Sequence, residues 1–280
     1  AVEPSQLDHT MKVKGFDGLY VCGQIAGTSG YEEAAALGLI AGINAALWIE
    51  GREPFTLSRD EAYIGIMIDD IVTKGTHEPY RLLSSRSEYR LITRNDNADV
   101  RLLKKGYDIG LVSKERFDRL NSKNEKVDLA INLLASHQVA SNQKVRDYIK
   151  SLGFNDPNGN ETLKQTMRRQ NVKYKELSKC VDYLPVLDDE EQFKCETEIK
   201  YEGYIIAERK EAERRKSYES LLLPDNLDYK HMDGLSLEAR EKLSLLKPKT
   251  LGEASRITNV HPSDIDVLSF YVRHKEHNSK

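Results

Sequence analysis

The sequence is poor in cysteine, has one tryptophan, lacks long apolar runs and carries almost no excess of charge. Cys22, Cys180 and Cys195 show no CxxC spacing and are too scattered for a disulfide framework, which predicts a reducing, cytoplasmic setting. No stretch approaches the roughly 20 charge-free apolar residues of a bilayer span, so a soluble protein without membrane contact is expected. Forty-two Lys plus Arg against 45 Asp plus Glu leave a formal net charge of −3. That balance excludes a global field that attracts nucleic acid and confines any such surface to a local patch. The N-terminus has no basic n-region, no apolar h-region and no initiator Met, which predicts no secretory signal and an excised fragment. None of the 17 glycines is separated from another by a single residue, so the chain has no GxGxxG and no phosphate-binding fingerprint of its own.

What the sequence does have falls into two parts. Leu19-Tyr-Val-Cys22 is a β-type run ending at Gly23. A glycine turn and a run of helix formers from Tyr31 to Trp48 follow, which predicts strand, turn, helix. From Ser58 onward long charged amphipathic stretches predict an all-helical region of about eight helices. Its breaks are placed at Gly75 to Pro79, Asn155 to Asn160, Leu184-Pro185, Leu223-Pro224 and Lys247-Pro248. Near the C-terminus Ser236 is a predicted N-cap for Ala239, Leu243 and Leu246. Thr250 to Glu253 fits a capping box, and Pro262 opens a helix carrying Ile265, Leu268 and Val272. These three short helices are expected to pack as a terminal unit, with Ile257 in its core.

Two stretches carry chemistry. Glycines 23, 27 and 30 let main chain approach a ligand, and a helix opening near Gly30 points free N–H groups at it. An ordinary turn without a ligand fits the pattern equally well. Ala35, Gly38 and Gly42 recur toward one side of that helix, which allows close packing on a sheet. Glu32 and Glu33 read either as dipole-complementing first-turn residues or as residues with a catalytic task. The second stretch, residues 74 to 105, holds eight basic side chains against four acidic ones. A helix from Ser84 would align Arg86, Arg90 and Arg94 on one face, suited to a phosphate backbone. Spacing alone favours a solvated face, or pairing with Asp96, Asp99 and Asp69-Asp70. The run Glu208 to Lys216 alternates in sign and reads as a salt-bridged helix surface. His274 and His277 lack a third ligand, so no metal is expected.

Gly23-Gln-Ile-Ala-Gly-Thr-Ser-Gly-Tyr-Glu-Glu-Ala-Ala-Ala-Leu-Gly38 closely resembles the MnmG (GidA) family. So do Ile68-Asp-Asp70, Gly75-Thr-His-Glu-Pro-Tyr-Arg81, Ser85-Arg-Ser-Glu-Tyr-Arg-Leu91, Arg94-Asn-Asp-Asn-Ala-Asp99, Gly234-Leu-Ser-Leu-Glu-Ala-Arg240 and Leu251-Gly-Glu-Ala-Ser-Arg-Ile257. The resemblance covers essentially the whole chain, least distinctively from about 110 to 200.

It implies the C-terminal part of a flavoenzyme that installs a carboxymethylaminomethyl group on C5 of the wobble uridine of certain tRNAs. FAD is the implied cofactor, NADH and methylene-tetrahydrofolate are implied substrates, and the GTPase MnmE is the implied partner of a cytoplasmic homodimer. The implied fold is mainly α: residues 1–57 end an α/β FAD-binding domain, 58–224 form a helical tRNA-binding domain, and 225–280 form a terminal helical subdomain that docks MnmE. The implied flavin contacts are Gly23, Gln24, Gly27, Thr28, Ser29 and Gly30, with Gln24 offering the ribityl chain a neutral amide. The amides near Thr28 to Gly30 are expected to favour the charge of reduced flavin at its N1–C2=O edge. At Gly30 a valine is expected to crowd the ring and to meet a positive φ. The implied tRNA contacts are Arg81, Arg86, Arg90, Arg94 and Lys104, and no catalytic residue is expected in this fragment. Cys22 is not to be taken for either of the family's mechanistic cysteines. A noncatalytic helical RNA- or protein-binding module is the alternative. The related folate-dependent methyltransferases (TrmFO) share the turn, but the long helical extension argues against them.

Overall fold

The computed structural model describes residues 2–74, 78–155, 160–219, 221–257 and 259–278. The expected break at Gly75 to Pro79 lies outside them for residues 75–77, and that at Asn155 to Asn160 for residues 156–159. The side chains of His274 and His277 also lie outside the described ones.

The protein is mainly helical, and no β-strand occurs among the described residues, only isolated bridges. The helices are α1 (Tyr31–Ile49), α2 (Tyr63–Asp69), α3 (Ala98–Asp108), α4 (Lys114–Ser136), α5 (Gln143–Ser151), α6 (Leu163–Met167), α7 (Tyr174–Cys180), α8 (Asp189–Glu219), α9 (Leu237–Leu246), α10 (Leu251–Ser255) and α11 (Pro262–Asn278). Two compact units, Ala1–Ile206 and Ala207–Lys280, divide within α8.

The expected strand at 19–22 is a correction: its residues form only a short ribbon with residues 11–13. Val13 N–H donates to Leu19 O at 2.9 Å and Val21 N–H to Met11 O at 3.0 Å. With no further strand alongside among the described residues, the run has no ladder to join and meets its backbone needs locally.

The first unit has two cores. One packs Leu7, Met11 and Ala26 with Leu37, Ile40 and Ala41 of α1, Met67 and Ile68 of α2, and Ile71 and Tyr80. Buried Asn44 fixes the return from α1, donating to Phe55 O at 2.8 Å and accepting Phe55 N–H at 2.7 Å. Alone among the described helices, α1 is long and apolar enough to cross a membrane, a property that its two first-turn glutamates concealed in the sequence. Leu37, Ile40, Ala41 and Leu47 are nonetheless buried, which makes it a core helix with a second, exposed face of Ala35, Leu39, Gly42, Ala46 and Ile49.

The other core joins α4 to α7 with the start of α8, through Ala130, Leu134, Val145, Ile149, Leu163, Met167, Leu177 and Ile199. Local side chains set where these helices begin. Ser113 caps α4, Thr162 and Gln165 form a capping box on α6, and Asp188 and Glu191 cap α8 reciprocally. Cys195 lies in this core, and burial pushes its thiol up to about 12.

The second unit closes around Tyr218, Leu223, Leu243, Leu251, Ala254, Ile265, Leu268 and Val272. Ser236 caps α9 and Pro262 opens α11 as expected; Thr250 caps α10, but in place of the reciprocal half of the expected capping box the Glu253 carboxylate accepts Lys249 N–H at 2.7 Å. Ile257 packs against this core, but Leu246 is exposed because α9 ends at Lys247 in the left-handed conformation, one turn beyond the packed face.

Candidate functional site: the glycine turn and the arginine segment

The turn after Cys22 is a single 3-10 turn, Gly23–Ala26, closed by Gly27 at φ +91°. Gly23 also has positive φ, +71°, so both glycines meet a need that a side chain would strain. Gly30 does not: it is the extended N-cap of α1, at φ −94°, and the positive φ expected there is a correction. Its requirement is spatial, since a Cβ at Gly30 would lie 1.7 Å from Glu33 Oε2.

Glu33 therefore faces inward, although the sequence allowed an exposed dipole-complementing role. Its Oε1 accepts Leu82 N–H at 2.9 Å and Arg81 Nε at 3.3 Å. The Leu82 amide and its own amide hold its carboxyl below the usual range against the effect of burial, and Arg81 adds to this. Its Oε2 and Thr28 Oγ1 are buried without a hydrogen-bond partner among the described residues. The dipole of α1 and the Glu33 carboxylate oppose one another at this end of the helix, so the turn is not a plain anion site. Gln24 and Ser29 are exposed beside it.

The chain returns to the turn at Tyr80. Tyr80 N–H donates to Gly27 O at 2.7 Å, forming a parallel bridge between Thr28 and Tyr80. The Tyr80 hydroxyl donates to Asp70 at 3.0 Å, and burial with that carboxylate keeps the phenol protonated well above its ordinary range. Arg59 locks the base of the segment, meeting Asp69 at 2.9 Å, Asp70 at 2.7 Å and both Glu88 oxygens at 3.0 Å.

The helix expected from Ser84 is a correction. Only Ser84–Arg86 forms a 3-10 turn, and the chain then runs irregularly to Arg94, with Ser87, Tyr89 and Thr93 buried. Glu88 is pulled onto Arg59, and helical bonding after that turn is confined to one α-turn in which Thr93 N–H and its hydroxyl both donate to Tyr89 O, at 2.9 and 2.6 Å. The three arginines consequently share no helical face. Arg81 is exposed, Arg86 lies 4.5 Å over the Tyr80 ring, and exposed Arg90 donates to Ser84 O at 3.0 Å. Arg94 instead points inward to Asp96 and Glu198, with its side chain only 12% exposed. Lys104 is exposed on α3 and pairs with Asp108 at 2.8 Å.

This architecture matches known proteins along its length. Residues 1–53 match the family described as Glucose inhibited division protein A. Residues 114–209 match the tRNA modifying enzyme MnmG/GidA C-terminal helical domain, and 211–280 match its C-terminal helical bundle. The chain belongs to the MnmG/GidA family. It is 43% identical over 279 residues to the tRNA uridine 5-carboxymethylaminomethyl modification enzyme MnmG of Clostridium kluyveri, covering 100% of this chain and 44% of that protein. It is 45% identical to MnmG of Lactobacillus delbrueckii subsp. bulgaricus over 272 residues, 97% of this chain and 43% of the relative. The crystal structure of Aquifex aeolicus GidA superposes with a TM-score of 0.72 at 39% identity, over 97% of this chain and 43% of that one. The chain thus spans less than half the length of these MnmG relatives and corresponds to the C-terminal part. Its arginine segment lies between the matched family ranges and within the alignment to MnmG of Clostridium kluyveri.

The residues of the turn fit the edge of a flat, hydrogen-bonding cofactor. Exposed Gln24 and Ser29 and the Thr28 hydroxyl, unpartnered among the described residues, are the polar groups that the turn offers to one, while the space beside the Gly30 N-cap is taken by the Glu33 carboxylate. Sequence reasoning missed Glu33 as the joint between turn and segment. The available signal was a glycine three residues before a first-turn glutamate, which leaves room for the carboxylate to fold back.

Proposed function

We propose that this chain is the C-terminal part of a flavoenzyme that, with the GTPase MnmE, adds a carboxymethylaminomethyl group to C5 of the wobble uridine of certain tRNAs. The observation that carries this reading is identity of 43–45% over nearly the whole chain to proteins named for that modification. FAD, when bound, supplies the redox chemistry, with NADH and methylene-tetrahydrofolate as co-substrates. Gly23, Gln24, Gly27, Thr28, Ser29 and Gly30 hold its edge. Arg81, Arg86 and Arg90 take the tRNA phosphates, with Lys104 on the periphery, while Arg94 is assigned to the internal ion pairs it makes. The second unit docks MnmE, and the full-length protein is a cytoplasmic homodimer.

The test is flavin absorbance and tRNA binding, measured side by side on this chain and on the full-length protein. The full-length protein is expected to be yellow and to bind tRNA. The chain alone, without a dinucleotide fingerprint, is expected to bind FAD weakly or not at all and to be inactive. A colourless full-length protein that does not modify tRNA would leave a noncatalytic helical binding module as the reading.

A further inference from the structure

The glycine turn and the arginine segment are one piece of structure. The 2.7 Å bond from Tyr80 N–H to Gly27 O joins their backbones, and two residues later Leu82 N–H reaches the Glu33 carboxylate at 2.9 Å. Glu33 is 4% exposed and lies against Gly30, in the space that a side chain there would fill. Arg81 bonds the same carboxylate oxygen, yet its side chain is 61% exposed, so the guanidinium keeps donors free for an outside anion. One buried carboxylate thus touches the helix that begins at the turn, the backbone of the returning segment, and the first arginine of that segment.

We propose that Glu33 is a positioning residue that ties segment 80–90 to the glycine turn, so that polyanion contact at Arg81 and ligand contact at residues 27–30 favour one another. The inference rests on the functional reading above, which supplies the two ligands, RNA and flavin. Its physical basis is shared ordering. Either ligand fixes the joint formed by Gly27, Gly30, Glu33, Tyr80 and Leu82, and the second then binds a joint already fixed. Such a coupling is reciprocal between the two affinities.

The experiment uses the full-length protein with and without FAD, titrating each form with a substrate tRNA. The native protein is expected to bind tRNA about fivefold or more tightly when flavin-loaded. The ratio is expected to fall to about one in Glu33→Ala and to recover largely in Glu33→Gln, which keeps an acceptor for Leu82. As a measurement independent of any variant's folding, hydrogen exchange at the Leu82 amide of the native protein should slow on adding FAD alone and on adding tRNA alone. A folded Glu33→Ala protein with the native ratio, or a Leu82 amide indifferent to both ligands, overturns the proposal. A ratio of one in a native protein that binds both ligands overturns it while the functional reading stands. Failure of the full-length protein to bind FAD or tRNA overturns that reading, and this inference with it.

Discussion

Gly30 is irreplaceable for a reason unlike that of its neighbours. Gly23 and Gly27 need glycine for conformation, whereas Gly30 needs it for the volume that Glu33 occupies. Gly30→Val in the full-length protein is therefore expected to eject the carboxylate, freeing Leu82 N–H. Flavin content should drop and the thermal midpoint fall, with a loss of stability typical of an orphaned buried hydrogen-bonding group, about 1–3 kcal/mol. Normal flavin absorbance with an unchanged midpoint would contradict this. Arg86 and Arg90 support a different measurement. Their joint replacement by Ala should flatten the log–log salt dependence of tRNA binding by about two units at most, since each phosphate contact contributes roughly 0.7–0.9. An unchanged slope would assign both to the contacts they make with Tyr80, Asp70 and Ser84.

Residue types of the candidate site were legible in the sequence, but their directions were not. Arg94 is drawn inward by Glu198, over 100 residues away in the chain, and no local pattern announces such a partner.

Elements were legible wherever their cause is local. Ser236, Thr250 and Pro262 mark helix starts because a capping oxygen or a fixed φ acts within three residues. The strand at 19–22 and the helix at 84–94 were misread because each depends on more than local pattern: the first has no further strand alongside it among the described residues, and the second is redirected by Arg59, some thirty residues earlier. Asp264, at the first turn of α11, links two of the well-predicted starts. It accepts Ser236 N–H at 2.7 Å and His261 N–H at 2.9 Å. Burial alone would raise its pKa, but these amides and the Ser236 hydroxyl outweigh it and hold the carboxyl below its ordinary value. A depressed folded pKa stabilises above the unfolded value and loses that contribution as pH falls through the folded one. Asp264→Ala is expected to cost about 2–4 kcal/mol at neutral pH by orphaning two amides. Denaturation at pH 7 and at strongly acidic pH should show the gap between variant and native closing in acid, and a gap independent of pH would contradict the assignment.

The two compact units set how the whole molecule can be cut. Tyr218 and Leu223 belong to the core that also holds Leu243, Leu251 and Leu268, so truncation at Leu223 would leave both apolar side chains bare. Ending the full-length protein after Ile206 removes the second unit entire. That truncation is expected to stay folded and yellow while losing association with MnmE, and wobble-uridine modification with it. Flavin absorbance, the thermal midpoint and a binding assay with MnmE test this together, and retained binding would place the docking surface in the first unit.

The bridge between Thr28 and Tyr80 spans some fifty residues of chain. Closing a loop of that length carries an entropic cost that helix–helix contacts close in sequence do not bear. The joint is accordingly expected to form late, after the transition state for folding of the first unit. Weakening it, as in Glu33→Ala, should then accelerate unfolding and leave the refolding rate nearly untouched, which stopped-flow measurements in denaturant can read directly. A nascent or heat-stressed chain would thus hold its helices before it can present a finished binding turn, and would lose that turn first.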